Sequence, residues 1–516
     1  MNYLEKFLKT LLISFLLMPL LAQESEDEDE GLEVVVTTAT KTEKDILDTA
    51  QAVTALSGNQ LLELGLNNIK DLNNMIPGLY VQNTDTNAPI ITLRGIRTEN
   101  VTELGDPAVG IHVDGVYVAR PQAANALMFD LERTELTRGP QGTLYGRNSV
   151  VGTLNIVTAK PNFDIQGGSL NLVGGQLNEA GLRAHYNLPI NEKLALRFAY
   201  MEQSKDSFID GFWDGSQLDW RRLPSNVRDQ FQVITSPDQR SYLSDYAWYL
   251  GCSTQPGNGC GQGNFSDPYN KIAADPSEFY TAIKDSAWRI SATYVVDDNS
   301  DLNIQFENYE DNGKGWTNVL SCELMRTRTG FIAKDRPANT CTDILGSENR
   351  YQSYANTPGF NKMNIDSFRA IYKRQLNETT NLTVNYGYQE LEQSSQFEID
   401  GGVNYQYGMA FNINRLLTES NVLDAYITGA NEEWAWVGGI FTSTEDNDML
   451  ANFTAELNGH DFFWQPNREL NHYAVYGQAT YALRDDLFFT LGGRFSYDEK
   501  SDVGGRNINC NTGNGC

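Results

Sequence analysis

The chain has 516 residues, 40% of them hydrophobic, with a mean hydropathy of -0.43 and a formal net charge of -28. The length exceeds one small soluble domain, the hydropathy argues against a bundle of membrane helices with about 20 apolar residues each, and the charge argues against nucleic-acid binding, which needs a basic footprint. A membrane β-barrel stays open, because its strands alternate lipid-facing and lumen-facing residues and keep the average low.

In chain order, Lys6 and Lys9 precede an apolar stretch from Leu11 to Leu21, with Ala22-Gln23 as the cleavage point. This reads as a signal peptide over residues 1-22, too short to span a bilayer. Residues 23-31 hold six carboxylates, Glu24, Glu26, Asp27, Glu28, Asp29 and Glu30, and read as a flexible tether. Residues 32-160 form a compact mixed segment. Helical patches are expected over Gly58 to Leu66 and Ile69 to Met75, the second stopped by Pro77-Gly78. Strands are expected at Leu79-Gln82, Ile90-Arg94, Gly110-Val113, Val116-Ala119 and Gly152-Thr158, with Asp114-Gly115 as a hairpin turn.

Residues 161-516 alternate at period two. Trp288, Ile290, Ala292, Tyr294 and Val296 share a face opposite Arg289, Ser291 and Thr293, and Leu487, Phe489, Leu491, Phe495 and Tyr497 oppose Thr490, Arg494 and Asp498. Eleven strands are expected, near 167-175, 181-189, 194-204, 286-296, 301-310, 363-376, 381-394, 413-427, 433-445, 470-483 and 487-498. Short turns at Asn191-Lys193, Asp297-Ser300, Asn377-Thr380, Gly429-Glu432 and Arg484-Asp486 alternate with longer connections over 205-285, 311-362, 395-412 and 446-469. Short turns on one side and long loops on the other are the pattern of an outer-membrane barrel, the long side facing out. An odd strand count and a loop-like end at Asn511-Cys516 lead to the expectation of an incomplete barrel, about half of the 22-stranded plugged class.

Six cysteines suit an oxidising compartment. They permit 15 pairings; local closure, as Cys252-Cys260, Cys322-Cys341 and Cys510-Cys516, is the simplest and places every bridge on the long-loop side. A metal site is disfavoured, since the four histidines, His112, His185, His460 and His472, lie away from the cysteines. No cofactor is expected. No nucleophile elbow, metal-binding helix or Ser/His/Asp arrangement is legible, so an enzyme is not expected.

The compact segment carries a series of motifs: Leu32-Glu33-Val34-Val35-Val36-Thr37-Thr38-Ala39, Ile76-Pro77-Gly78, Ile91-Thr-Leu-Arg-Gly-Ile96, Val113-Asp-Gly-Val-Tyr117, Phe129-Asp-Leu-Glu-Arg-Thr-Glu135, Arg138-Gly-Pro-Gln-Gly-Thr-Leu-Tyr-Gly-Arg-Asn-Ser149 and Gly152-Thr-Leu-Asn-Ile-Val157. In this order they resemble the plug domain of TonB-dependent outer-membrane receptors. The resemblance implies a mainly β fold, a 22-stranded antiparallel transmembrane barrel around an N-terminal α+β plug at 40-160, with the barrel from 161 onward. It implies a TonB box at 32-39, reached from the periplasm by TonB and its inner-membrane energising complex. A β-prone segment on a flexible tether, with no obvious local partner, suits docking by strand addition. The resemblance also implies plug arginines that bridge to barrel carboxylates, with Arg94 and Arg138 as the candidates and Arg147 as a third. The expected function is active import of a scarce solute. An iron chelate such as a ferric siderophore is the expected cargo, with cobalamin, haem or an oligosaccharide as alternatives. A passive porin or adhesin would need no such plug. In the loop between the third and fourth strands, Tyr242, Tyr246, Trp248 and Tyr249 are candidates for stacking on a ligand or for packing the loop itself.

Overall fold

The structure, a computed structural model, describes residues 36-38, 41, 44-45, 50-66, 68-83, 89-98, 105-214, 271-316, 352-355, 359-398, 409-455, 459-484 and 486-507. The plug comprises β1 (Val36–Thr37), β2 (Lys44–Asp45), β3 (Ala52–Ser57), α1 (Gly58–Glu63), β4 (Leu79–Asn83), β5 (Pro89–Leu93), β6 (Val109–Val113), β7 (Val116–Val118), β8 (Leu131–Arg138) and β9 (Gly152–Thr158). Its main sheet runs β3-β8-β9-β6-β7, with β6 and β9 parallel, while β1-β2 and β4-β5 form separate pairs.

Local chemistry accounts for the plug elements. Ser57 and Gln60 form a reciprocal capping box that starts α1, and Gly65 follows it in the left-handed region at φ 64°. The helix is therefore shorter than the expected 58-66. The second patch is a 3-10 helix, Ile69–Asn74, capped by Asn68 with Asp71. Asp114 and Gly115 both have positive φ, 50° and 82°, and Val113 pairs with Val116, as a two-residue hairpin turn requires. The strands β3 and β8 are additions to the periodicity reading. β8 reads Leu-Glu-Arg-Thr-Glu-Leu-Thr-Arg, and its polar side chains hide the strand because one of them, Glu135, has a buried task at the docked N-terminal segment.

The barrel strands are β10 (Gly167–Gly174), β11 (Ala180–Asn191), β12 (Leu194–Lys205), β15 (Ile283–Asp297), β16 (Ser300–Asp311), β18 (Phe360–Asn377), β19 (Thr380–Glu398), β20 (Met409–Ala430), β21 (Trp434–Ala455), β22 (Gly459–Arg484) and β23 (Leu487–Asn507). They form one antiparallel 11-stranded sheet in that order, a partial barrel whose first and last strands do not pair with each other. The short turns repeat one device. The side-chain oxygen of Asn191, Asp297, Asn377 or Asn431 accepts a backbone N–H two residues on, from Lys193 (2.8 Å), Asn299 (3.0 Å), Thr379 (3.0 Å) or Glu433 (3.0 Å). At the other end, β13 (Asp210–Asp214), β14 (Lys271–Ala273) and β17 (Gln352–Ala355) make a small sheet that the sequence reading did not anticipate.

The alternation holds at residue level. On β15, Ala287, Arg289 and Ser291 are buried toward the plug, while Tyr294 and Val296 are exposed on the outer face. One apolar core runs from the plug into the wall: Ile69, Leu72, Leu93, Ile111 and Leu136 share a cluster with Met363, Ile365, Leu391, Leu416 and Met449. The plug is thus seated by apolar packing as well as by polar contacts.

Candidate coupling segment and plug–barrel interface

The N-terminal segment is docked at the short-turn end. Against the expectation of no local partner, β1 pairs antiparallel with β2, Val36 opposite Asp45 and Thr37 opposite Lys44. The carboxylate of Glu135, buried on β8, gathers the polar groups of Thr37 and Thr38. It accepts from Thr37 Oγ1 (3.1 Å), Thr38 N (3.0 Å) and Thr38 Oγ1 (3.0 Å), and from Arg133 Nε (2.7 Å). Asn155 Nδ2 donates to Thr38 Oγ1 (2.9 Å) and Tyr145 OH to the Thr38 carbonyl (3.0 Å). Residues 32-35 and 39 of the motif lie outside the described residues.

Three residues after Thr38, Lys41 anchors the segment to the barrel. Its backbone is left-handed at φ 60°, an unfavourable state for a side chain of this kind. Its ammonium pairs with the Asp424 carboxylate of β20 and donates to Tyr476 OH of β22 at 2.9 Å. The rings of Tyr476, Tyr426 and Tyr145 stand 4.6, 4.7 and 5.8 Å from Nζ, a cation–π cage around a buried charge. Burial lowers the Lys41 pKa, opposed by the Asp424 charge and hydrogen bond. Beside this cage His112 is buried, with ring contacts to Tyr145 and Tyr117. Burial pushes its pKa down to about 3, with the charges of Lys41 and Arg494 adding, so the ring is neutral.

Plug–barrel ion pairs exist, on other residues than those expected. Arg94 sits exposed in a turn with φ 52°, its backbone N–H donating to the Gly78 carbonyl (2.8 Å), and forms no ion pair with a described barrel carboxylate. Arg138 ends β8 half-buried, its Nε without a hydrogen-bond partner among the described residues. Arg147 reaches the wall only through Asp106, which it meets at 2.5 Å and which also takes Lys500 of β23 at 2.9 Å. A plug arginine that pairs directly with the wall is Arg120, with Glu445 of β21, both buried. Asn447 and Thr418 extend that network, Asn447 Nδ2 donating to Glu445 and Thr418 Oγ1 to Asn447 Oδ1, each at 2.7 Å.

At β12 and β15 the polarity reverses. Arg197 of β12 grips plug Asp130 with two bonds, at 2.9 and 2.5 Å. Arg289 of β15 donates to the carbonyls of Phe129 (3.2 Å) and Asp130 (3.1 Å) while pairing with Glu307 (2.6 Å), which also holds Arg369 (2.9 Å). The plug therefore gives cations to β20 and β21 and takes them from β12, β15 and, through Lys500, β23. Wall charges at lumen-facing positions, Asp424, Glu445 and Arg289, carry the one signal that points to these partners in the sequence.

The motif glycines have steric tasks. An added Cβ at Gly152 would lie 2.3 Å from the Thr137 carbonyl oxygen, and one at Gly146, where φ is 79°, would lie 2.5 Å from the Arg494 guanidinium. A cavity of about 750 Å³ lies between the docked segment and the wall at the short-turn end, reaching from Thr38 and Lys41 to Asn299, Arg374, Asn385 and Asp424. The candidate ligand residues Tyr242, Tyr246, Trp248 and Tyr249 and all six cysteines lie outside the described residues.

Residues 45–153 match the family model described as the TonB-dependent Receptor Plug Domain. The chain is 31% identical over 182 residues to the pesticin receptor of Yersinia pestis, covering 35% of this chain and 26% of that protein. It is 29% identical over 202 residues to the ferrioxamine B receptor of Salmonella typhimurium, covering 37% and 27%. The chain thus spans about a quarter of the length of these curated relatives. In fold it is similar to the ferric yersiniabactin uptake receptor of Yersinia pestis, with TM-score 0.61, 15% identity and coverage of 89% of this chain and 61% of that one. It is also similar to the ferripyoverdine receptor of the outer membrane of Pseudomonas aeruginosa, with TM-score 0.64, 15% identity and coverage of 92% and 55%. The chain thus carries a TonB-dependent receptor plug domain at residues 45–153, wrapped by the 11 strands of a partial barrel.

Proposed function

We propose that this chain is part of an outer-membrane receptor that imports a ferric siderophore, driven by TonB from the periplasm. The observation that carries the reading is the placement of the segment around Thr37 and Thr38, docked on a TonB-dependent plug at the barrel's short-turn end, which is the periplasmic end in barrels of this kind. The motif there has the β-prone character that strand addition by a partner requires. Among the relatives, the receptors for ferrioxamine B and ferripyoverdine support an iron chelate as the cargo class. A vitamin B12 transporter of Vibrio vulnificus, 27% identical over 166 residues, makes cobalamin the comparison ligand in any binding panel.

The test is Val35→Pro in the intact receptor. Proline has no N–H to donate to a partner strand, and the site directly precedes β1 (Val36–Thr37) in the chain. Uptake of the chelate is expected to be abolished with binding unchanged, and Val35→Ile to behave as the parent. Normal transport by the proline variant refutes the assignment of the coupling segment.

A further inference from the structure

On the outward face of the wall the side chains change character at one level. Tyr200 pairs across strands with Trp288, and Phe306 with Phe368 and then Tyr388. These rings form an aromatic girdle of the kind that ends an apolar band. Just above that level Glu202, Glu310, Asp366, Glu392, Glu419 and Asp446 stand exposed, on β12, β16, β18, β19, β20 and β21. Each lies about eight to twelve residues from the short turn of its strand. With a rise of about 3.3 Å per residue and a tilt of about 40°, that is a climb of about 20–30 Å, against an apolar band of about 25 Å. The carboxylates therefore sit where hydrocarbon gives way to headgroups.

None of the six forms an ion pair with a described residue. Glu202 accepts from the Tyr200 hydroxyl (2.9 Å), and Asp366 from the side-chain amides of Asn308 (2.9 Å) and Asn364 (3.0 Å). A second feature of the same face has the opposite sign. Glu310 pairs across strands with Ser286 and Asn364, and two residues beyond these stand Lys284 and Lys362, both exposed and without an ion pair to a described residue. They lie on the two strands that flank β16, two strand spacings or about 10 Å apart. Unpaired ammonium groups at headgroup level attract lipid phosphate. The carboxylates beneath would repel the same phosphate, unless a divalent cation stands between. Mg²⁺ suits that place, since it is held by one or two carboxylates together with phosphate oxygens and keeps several waters. One partner thus satisfies both signs of charge.

We propose that this face holds phosphate-bearing headgroups of the outer leaflet, with Lys284 and Lys362 touching phosphate directly and the carboxylates reaching it through Mg²⁺ or Ca²⁺. The level of the bilayer follows from the outer-membrane reading of the proposed function, and the face lies wholly on described strands.

The intact receptor, extracted from outer membranes in mild detergent, tests this. Bisphosphorylated lipid A retained on it is counted by native mass spectrometry in Mg²⁺ and after EDTA. The parent is expected to retain lipid A in Mg²⁺ and to lose it in EDTA. A receptor with Glu310→Gln, Asp366→Asn, Glu392→Gln and Glu419→Gln is expected to retain in Mg²⁺ no more than the parent does in EDTA. Lys284→Ala with Lys362→Ala is expected to lower retention in Mg²⁺ as well. Lipid A without its phosphates, added to delipidated parent, is expected to stay unbound. Equal retention by the parent with and without EDTA, parent-like retention by the amide receptor, or equal binding of the phosphate-free lipid would overturn the proposal. The EDTA and phosphate-free arms use the parent and so do not depend on the folding of any variant. Recovery of the parent outside the outer-membrane fraction would instead overturn the membrane reading, and the proposal with it.

Discussion

Removing the Lys41 anchor is expected to release the coupling segment. In Lys41→Ala the buried Asp424, 2% exposed, loses its cation. Breaking a buried pair from one side costs about 3–5 kcal/mol. Asp424 keeps the Tyr476 hydroxyl at 2.8 Å, which places the cost at the lower end, about 3 kcal/mol or roughly two orders of magnitude in the docked-to-free ratio. The Glu135 contacts to Thr37 and Thr38 remain and keep part of the population docked. The assay is the rate of maleimide labelling at Val36→Cys from the periplasmic side, above the parent's background. Lys41→Ala and Asp424→Ala should each speed labelling strongly. The double variant, with no orphan charge to bury, should fall between them and the parent. Labelling of Lys41→Ala at the parent rate would refute the anchor, and equal rates for single and double variants would refute the electrostatic account of it.

Two further expectations rest on the same geometry. His112 is neutral in the folded plug down to about pH 3, while an unfolded histidine protonates below 6.5; the unfolded state thus binds more protons in that window. Plug stability should therefore fall by about 1.4 kcal/mol per pH unit as pH drops from 6.5 toward 3, and His112→Phe should remove that component in thermal melts taken across the window. Arg120→Ala leaves Glu445 buried and unpaired and should loosen plug seating by about 3–5 kcal/mol, whereas Arg94→Ala, exposed in a turn, should stay within about 0.5 kcal/mol. Protease protection of the plug on heating separates the two, and equal protection would restore Arg94 as a bridging residue.

The barrel was legible because its period-two alternation is imposed by lipid on one side and plug on the other. All eleven expected strands are present, and four of the five short turns are marked by Asn or Asp at the first position. The strands extend past the expected limits at the loop end: β22 starts at Gly459 where 470 was expected. A span needs only about 9–11 residues per strand, and beyond it the outer face meets water and the apolar signal fades. In β22, Pro466 also interrupts the pattern, and the pairing with β23 shifts between Trp464 and Asn467.

Plug contacts were less legible because their partners are remote in the chain. Glu135 lies 97 residues from Thr38 and Asp424 lies 383 from Lys41; no local period records such pairs. Arg94 and Arg138 were chosen from motif position, yet the backbone turns Arg94 outward at φ 52°. Arg120, two residues after β7 and directly before Pro121, holds the buried pair with Glu445.

On the proposed function, TonB draws on this segment to drive import. Its most direct measurement is uptake of radio-iron chelates by cells carrying the intact receptor, compared between strains with and without TonB, with binding at the cell surface measured on the same samples. Uptake that requires TonB while binding does not is the expected result. Equal uptake in both strains would contradict the account.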